Sequence, residues 1–292
     1  MSDGISAAVA LSWSRLQTVK YVNVASLAIL VFDYCLTFDL EVSLMWKSRL
    51  TLSKILFMLA RYTPFFDVPV GLSYVLAPNV PLKHCFNLNV VATTMSVFGI
   101  AIGEAILVLR TYALSGRNRK VLIVFTTIYA VEVLATLIMI SLFLRSMIFG
   151  PPILAAIPGC NETGGNLILV GVCFIMVLVN ETVLTIYTLW LGFKRYRSAR
   201  NEYILILYRD GIVYFLFLFA CSAANCGILI AGAGELQELL PTFLRVMHSV
   251  LSTRILLHVR DVERRREEAS FLDQAASGTR IDFASDIEEP QM

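Results

Sequence analysis

The chain has 292 residues, of which 57% are hydrophobic and 16% charged, against about 25% charged in a typical soluble domain. The charges stand between long apolar runs, which excludes a soluble globular domain. A formal net charge of +2, with Lys and Arg gathered in a few short segments, gives no reason to expect a nucleic-acid partner.

A bilayer core about 30 Å thick takes roughly 20 apolar residues per helix. Seven such helices use about half the chain and leave no length for a separate soluble domain. The N-terminus lacks the basic segment, compact apolar core and small-residue cleavage site of a signal peptide, so the first membrane helix is read as the targeting signal. The apolar runs predict spans over about 21–42, 52–76, 87–109, 121–144, 167–193, 211–232 and 239–259, the last being the least apolar. Each must be helical, because lipid offers no partner to backbone N–H or C=O groups. The expected organisation is an extracellular N-terminus (1–20), a seven-helix domain (21–259) and a largely disordered cytosolic tail (260–292).

Direction follows from the basic residues. Lys47, Arg49 and Lys54 follow the first span, and Arg117, Arg119 and Lys120 the third. Lys194, Arg195, Arg197, Arg200 and Arg209 follow the fifth, and Arg260, Arg264, Arg265 and Arg266 the seventh. The alternate loops hold only Lys83 and Arg145. The fold class read from this is an all-α, seven-helix transmembrane bundle with its N-terminus outside and its C-terminus in the cytosol, in the plasma membrane.

Of six cysteines, only Cys85 and Cys160 fall on the predicted outer side, while Cys35, Cys173, Cys221 and Cys226 fall within spans. A Cys85–Cys160 disulfide is the natural pairing in an oxidising compartment, two free outer thiols being the alternative. Asn161-Glu162-Thr163 beside Cys160 is a glycosylation sequon on the same side. Asn180-Glu181-Thr182 has the same pattern inside a span and is expected to be inaccessible. From Arg260 onward the chain carries nine acidic and five basic residues; Arg260–Glu268 reads as a short charged helix and the rest as disordered.

Ionisable residues within spans cost about 2.5–3.5 kcal/mol each and should face the bundle interior. The candidates are Asp33, Asp39, Arg61, Asp67, Glu104, Glu132, Glu181, Arg245 and His248. At about 1.5 Å per residue, Arg61, Asp33, Glu104 and His248 fall at similar depths. The expected pairings link Asp33 or Asp39 to Arg61, and Glu104 or Glu181 to His248 or Arg245. Such a network reads either as a ligand site, proton path or switch, or as a static polar lock. Gly99 and Gly103 form a small-xxx-small motif that admits a neighbouring helix. Pro64 and Pro69 are expected to kink the second span. No phosphate-binding glycine loop, dinucleotide fingerprint or HExxH motif occurs. The chain has three histidines, His84, His248 and His258, and they are separated in the topology, so no metal, cofactor or catalytic residue is expected. The seventh span has no lysine, which excludes a retinal Schiff base.

The segment ASLAILVFDYCLTFDLEVSLMWKSRLTLSKILFMLARYTP, from Ala25 to Pro64, resembles the N-terminal signature of a fungal family of multi-spanning membrane proteins. That family is abundant in mushroom-forming basidiomycetes and is catalogued as a domain of unknown function. The matching features are Asp33-Tyr34, Thr37, Asp39, Glu41-Val42, Trp46-Lys47, Arg49, Lys54, Arg61-Tyr62 and Pro64. Further strings are similar: Leu109 to Leu114, Tyr208 to Gly211, and His248-Ser249 through Arg254. The resemblance implies a fungal source and a seven-helix membrane protein, and carries no activity. The topology is also loosely similar to G-protein-coupled receptors, although Arg110-Thr111-Tyr112 lacks the acid of the receptor motif and the seventh span has no Asn-Pro-x-x-Tyr. The functional expectation is a receptor-like or sensor protein with an unknown ligand, whose basic third inner loop and tail meet a cytosolic signalling protein. The alternatives are a proton-coupled permease or other transporter using the intramembrane acids, and a membrane-embedded lipid-modifying enzyme.

Overall fold

The computed structural model describes residues 2–77, 80–150, 159–196, 202–231, 236 and 239–285. In chain order these form α1 (Ser2–Glu41), a π-helical turn (Val42–Trp46), α2 (Leu52–Tyr62), α3 (Pro64–Leu76), α4 (Leu82–Leu114) and α5 (Arg119–Ser146). The strands β1 (Ile148–Gly150) and β2 (Asn161–Gly164) follow, then α6 (Leu167–Tyr196), α7 (Glu202–Ile230) and α8 (Pro241–Ser285). Six helical segments are long and apolar enough to cross a membrane: Ala10–Trp46, Leu52–Leu76, Lys83–Leu114, Arg119–Ser146, Leu167–Lys194 and Ile212–Ile230. The protein is a helical, multi-pass membrane protein. Large apolar side chains such as Phe32, Phe66, Ile138, Ile168 and Trp190 are exposed on the helix faces, as a lipid-facing surface requires.

α8 is absent from those six, and its burial explains why. Residues 244–253 are buried without interruption, and α8 packs on α1, α2, α3, α4 and α7. A helix sheathed by protein on every side needs no apolar coat, and its polar groups find partners in its neighbours. The main core joins Leu30, Val68, Leu107, Phe125, Leu184, Phe215, Val250 and Ile255, drawn from every helix except α2.

Three elements differ from the sequence expectation. The N-terminal segment is helical from Ser2 and continuous with the first span. Thr63 is the only residue separating α2 from α3, at Pro64, which has no N–H to continue the ladder; Pro69 lies within α3 without dividing it. α8 runs on to Ser285 through the stretch read as disordered. Its charged start is braced by Arg264 and Arg265 on Asp261, at 2.7 and 2.9 Å, the i,i+3 and i,i+4 spacings that favour helix. Residues 286–292 of the tail, and Arg197 and Arg200 of the basic loop, lie outside the described residues.

At one end of the bundle, β1 and β2 form an antiparallel hairpin with Phe149 opposite Glu162. Cys85 and Cys160 are joined by a disulfide with a Cα–Cα distance of 5.6 Å, tying the hairpin to α4. Gly159 N–H donates to Ala77 O (2.9 Å) and Cys160 N–H to Tyr74 O (3.0 Å). Gly159 has φ +112°, and a side chain there would strike the Val75 carbonyl, so only glycine allows this approach to α3. The rings of Tyr74 and Phe86 meet Phe149 edge-on.

Candidate functional site

Helical phase decides which polar residues of α1 enter the bundle. Asp33, Thr37 and Glu41 recur every four residues, on one face, and all are buried. Arg61 of α2, 2% exposed, reaches all three. It donates to Asp33 Oδ2 (2.8 Å), Glu41 Oε2 (3.1 Å), Thr37 Oγ1 (2.5 Å) and the Tyr34 carbonyl (3.3 Å). Its guanidinium also lies over the Tyr34 ring, 4.9 Å from the centroid. Glu41 accepts from Tyr62 Oη (2.6 Å) and Trp46 Nε1 (3.2 Å), and Asp33 from Arg254 Nε of α8 (2.5 Å). This cluster is closed: each acid faces a cation, and every side-chain nitrogen of Arg61 is engaged. It ties α1, α2 and α8 together.

Asp39, expected in this network, is exposed. Two residues from Thr37 along a helix is a turn of about 200°, which carries its side chain to the opposite face. Glu41 takes its place, and the four-residue spacing from Asp33 and Thr37 was the signal for it.

A second polar group lies between α3, α4, α5, α6 and α8. Arg245 donates from Nε to Asp67 Oδ2 (2.7 Å) and from Nη2 to Thr63 Oγ1 (2.7 Å). Asn180 Nδ2 donates to Glu104 Oε2 (2.6 Å). His248 Nε2 stands 3.2 Å from Glu181 Oε1 without hydrogen-bond alignment. Glu132, 7% exposed, stands in the wall. The expected pairing of Arg245 with Glu104 or Glu181 is replaced by Asp67, because Arg245 points to the α2–α3 junction. The two glycines of α4 shape this packing. A Cβ at Gly99 would fall on the Arg245 guanidinium, and one at Gly103 would come within 3.1 Å of His248 Nδ1.

Unlike the first cluster, this one is unfinished. Glu104 Oε1, Glu132 Oε2, Asp67 Oδ1, Arg245 Nη1, both Glu181 oxygens and both His248 nitrogens are buried without a hydrogen-bond partner among the described residues. Buried polar groups are normally satisfied, so these atoms set this cluster apart from the first. A cavity of about 190 Å³ opens onto it, lined by Asp67, Glu104, Tyr129, Glu132 and Arg245 at depth and by Tyr74, Asn89 and Glu162 towards the hairpin. Glu162 accepts from Tyr74 Oη. Burial pushes the Glu162 carboxyl above the ordinary glutamate range, and the Tyr74 hydrogen bond opposes the shift in part.

A family of unknown function (DUF6533) matches residues 21–66. The matched stretch contains the whole first cluster except Arg254. None of the curated proteins matches the chain.

Proposed function

We propose that the protein is a receptor-like or sensor protein that takes a small cationic ligand into the cavity beneath the hairpin. The observation that carries this reading is the cavity itself: Glu104 and Glu132 present unpartnered carboxylate oxygens to its wall, while its one lining arginine, Arg245, is already held by Asp67. At about 190 Å³ the space is below the roughly 300–1,000 Å³ of drug-sized pockets, so the ligand is small. A primary or secondary amine with an apolar body fits the lining, where Val97, Ile100, Ile140 and Phe143 accompany Asn89, Thr93 and Ser96.

In this reading α8 is a seventh crossing. The N-terminus and the disulfide-tied hairpin lie outside and the tail in the cytosol, as the basic loops favour. A ligand that draws Glu104 and Glu132 together bears on α4 and α5. Through Gly99 and Gly103 it also bears on α8, whose charged extension would meet a cytosolic signalling protein. The plasma membrane and a fungal source accompany this reading as proposals, on the topology and the sequence resemblance.

Thermal unfolding of the full chain in lipid nanodiscs, screened against small amines, tests the ligand. A binding amine at about 100 times its Kd stabilises by about 2.7 kcal/mol, a rise of several degrees, lost in Glu132→Gln and kept in Asp39→Asn. A screen in which no small cation raises the midpoint by more than about 1 °C refutes the reading. A transporter reading draws on the same unpartnered acids. It requires flux across proteoliposomes that falls in Glu104→Gln, whereas a receptor gives ligand-dependent stabilisation without flux.

A further inference from the structure

Beneath the cavity, Glu104, Glu181 and His248 bring their ligand-type atoms within 4.8 Å of one another. They come from three helices, α4, α6 and α8, and are 1%, 1% and 0% exposed. Glu104 keeps one free carboxylate oxygen, Glu181 keeps two and His248 keeps both ring nitrogens, none with a hydrogen-bond partner among the described residues. The only short contact between them, 3.2 Å from His248 Nε2 to Glu181 Oε1, lacks hydrogen-bond alignment. Three side chains converge, and apart from Glu104 Oε2, which accepts from Asn180, their ligand-type atoms have no hydrogen-bond partner among the described residues.

We propose that Glu104, Glu181 and His248 form a binding site for a divalent transition-metal ion, with Zn²⁺ the ion that fits best. Two carboxylates and a neutral imidazole carry a net charge of −2, which one such ion neutralises inside an apolar bundle where an unpaired charge is very costly. The imidazole nitrogen selects against Mg²⁺ and Ca²⁺, which take oxygen ligands in larger shells. Zinc bonds nitrogen and carboxylate oxygen at about 2.0–2.2 Å, so tetrahedral ligand atoms stand about 3.4 Å apart. The ligand atoms, within 4.8 Å of one another, are about 1.4 Å from that spacing.

The surroundings support the ligands. Asn180 holds Glu104 through its other oxygen at 2.6 Å and acts as a positioning residue, an outer partner of the kind metal sites use to aim their ligands. Gly103 leaves the space that His248 occupies, since a Cβ there would come within 3.1 Å of Nδ1. Glu104 also lines the cavity, the side from which an ion would reach the site. The site was invisible to a count of three histidines because two of its three ligands are carboxylates on helices far apart in sequence.

The inference goes beyond the ligand proposal and does not rest on it; the two share the one free oxygen of Glu104, so amine binding is read on metal-free protein. Full-length protein carrying a tag without histidine, purified without chelator, should hold about one zinc per chain by plasma mass spectrometry. Protein stripped with EDTA should take up Co²⁺ with visible absorption bands. Its thermal midpoint should be restored by Zn²⁺ and not by Mg²⁺. Glu181→Gln and His248→Asn should lose the metal and the bands, while Asp39→Asn, at an exposed position, keeps both. Should either ligand variant fail to fold, the wild-type Co²⁺ bands and the Zn²⁺-dependent midpoint decide. Metal-free wild type with neither response overturns the site, as does metal retained at the wild-type level in folded Glu181→Gln and His248→Asn. Metal binding without amine stabilisation removes the cationic-ligand reading alone; amine binding by a protein that takes no metal removes the metal site alone.

Discussion

Replacing Arg61 by Met tests the closed cluster directly. The side chain keeps most of its volume but loses every donor, so Asp33 and Glu41 are stripped of a partner at 2.8 and 3.1 Å. Removing one member of a buried ion pair costs about 3–5 kcal/mol, because the remaining charge is left uncompensated. Asp33 retains Arg254 at 2.5 Å, and Glu41 retains the neutral donors Tyr62 and Trp46, which favours the lower half of that range. At roughly 2 °C per kcal/mol for a chain of this size, the thermal midpoint falls by about 6–8 °C. Fluorescence-detected size exclusion after heating in detergent reads this change. The triple variant Arg61→Met, Glu41→Gln, Asp33→Asn should regain much of the loss, since neutral neighbours no longer need the guanidinium. Asp39→Asn, at an exposed position, should stay within about 0.5 kcal/mol of wild type. A midpoint for Arg61→Met within 2 °C of wild type, or an Asp39→Asn variant as damaged as Arg61→Met, would refute the assignment of the lock.

Gly99→Ala should push the Arg245 guanidinium off Asp67, lowering the midpoint by several degrees. Gly71→Ala, where a Cβ meets nothing within 4 Å, should leave it unchanged or slightly raised, since alanine favours helix over glycine, and similar losses in both would refute the Arg245 contact as the cause. The raised Glu162 carboxyl binds its proton more tightly in the folded state. Its contribution to the hairpin is therefore complete below the ordinary glutamate range and fades as pH rises through the elevated value. Hydrogen exchange over residues 159–164, corrected for intrinsic rates, should accelerate between pH 4 and neutrality, and Glu162→Gln should flatten that dependence; a dependence unchanged by Glu162→Gln contradicts it. In a eukaryotic expression host, a glycosidase-sensitive mobility shift should vanish in Asn161→Gln and survive in Asn180→Gln, because Asn180 is 3% exposed within α6. Glycan on Asn180, or protection of Asn161 in every expressed form, would count against the hairpin lying outside.

The Asp33–Arg61 pair was legible because opposite charges within apolar runs have few alternatives to each other. The Cys85–Cys160 bond was legible because the four remaining cysteines fall inside spans. Asp39 was misplaced because charge and depth were weighed and angular phase was not. Of the partners left open for Glu104 and Glu181, His248 stands beside Glu181 while Arg245 turns to Asp67, because depth along the axis says nothing about which neighbour a helix turns towards. α8 shows the same limit. Its composition describes it as the weakest membrane segment, yet it is the one most enclosed by the others, so its polarity reflects protein neighbours in place of lipid.

What the sequence by itself determined was the membrane class, the approximate spans, the cysteine pairing and the list of costly intramembrane groups. All of these follow from local composition against a bilayer of known thickness. Only the tertiary structure decided how that list divides, into a closed lock around Arg61 and an unfinished cluster around Glu104, Glu181 and His248. Whether a buried polar atom is satisfied depends on the rotation and packing of helices separated by tens to hundreds of residues, a property that no stretch of sequence carries alone.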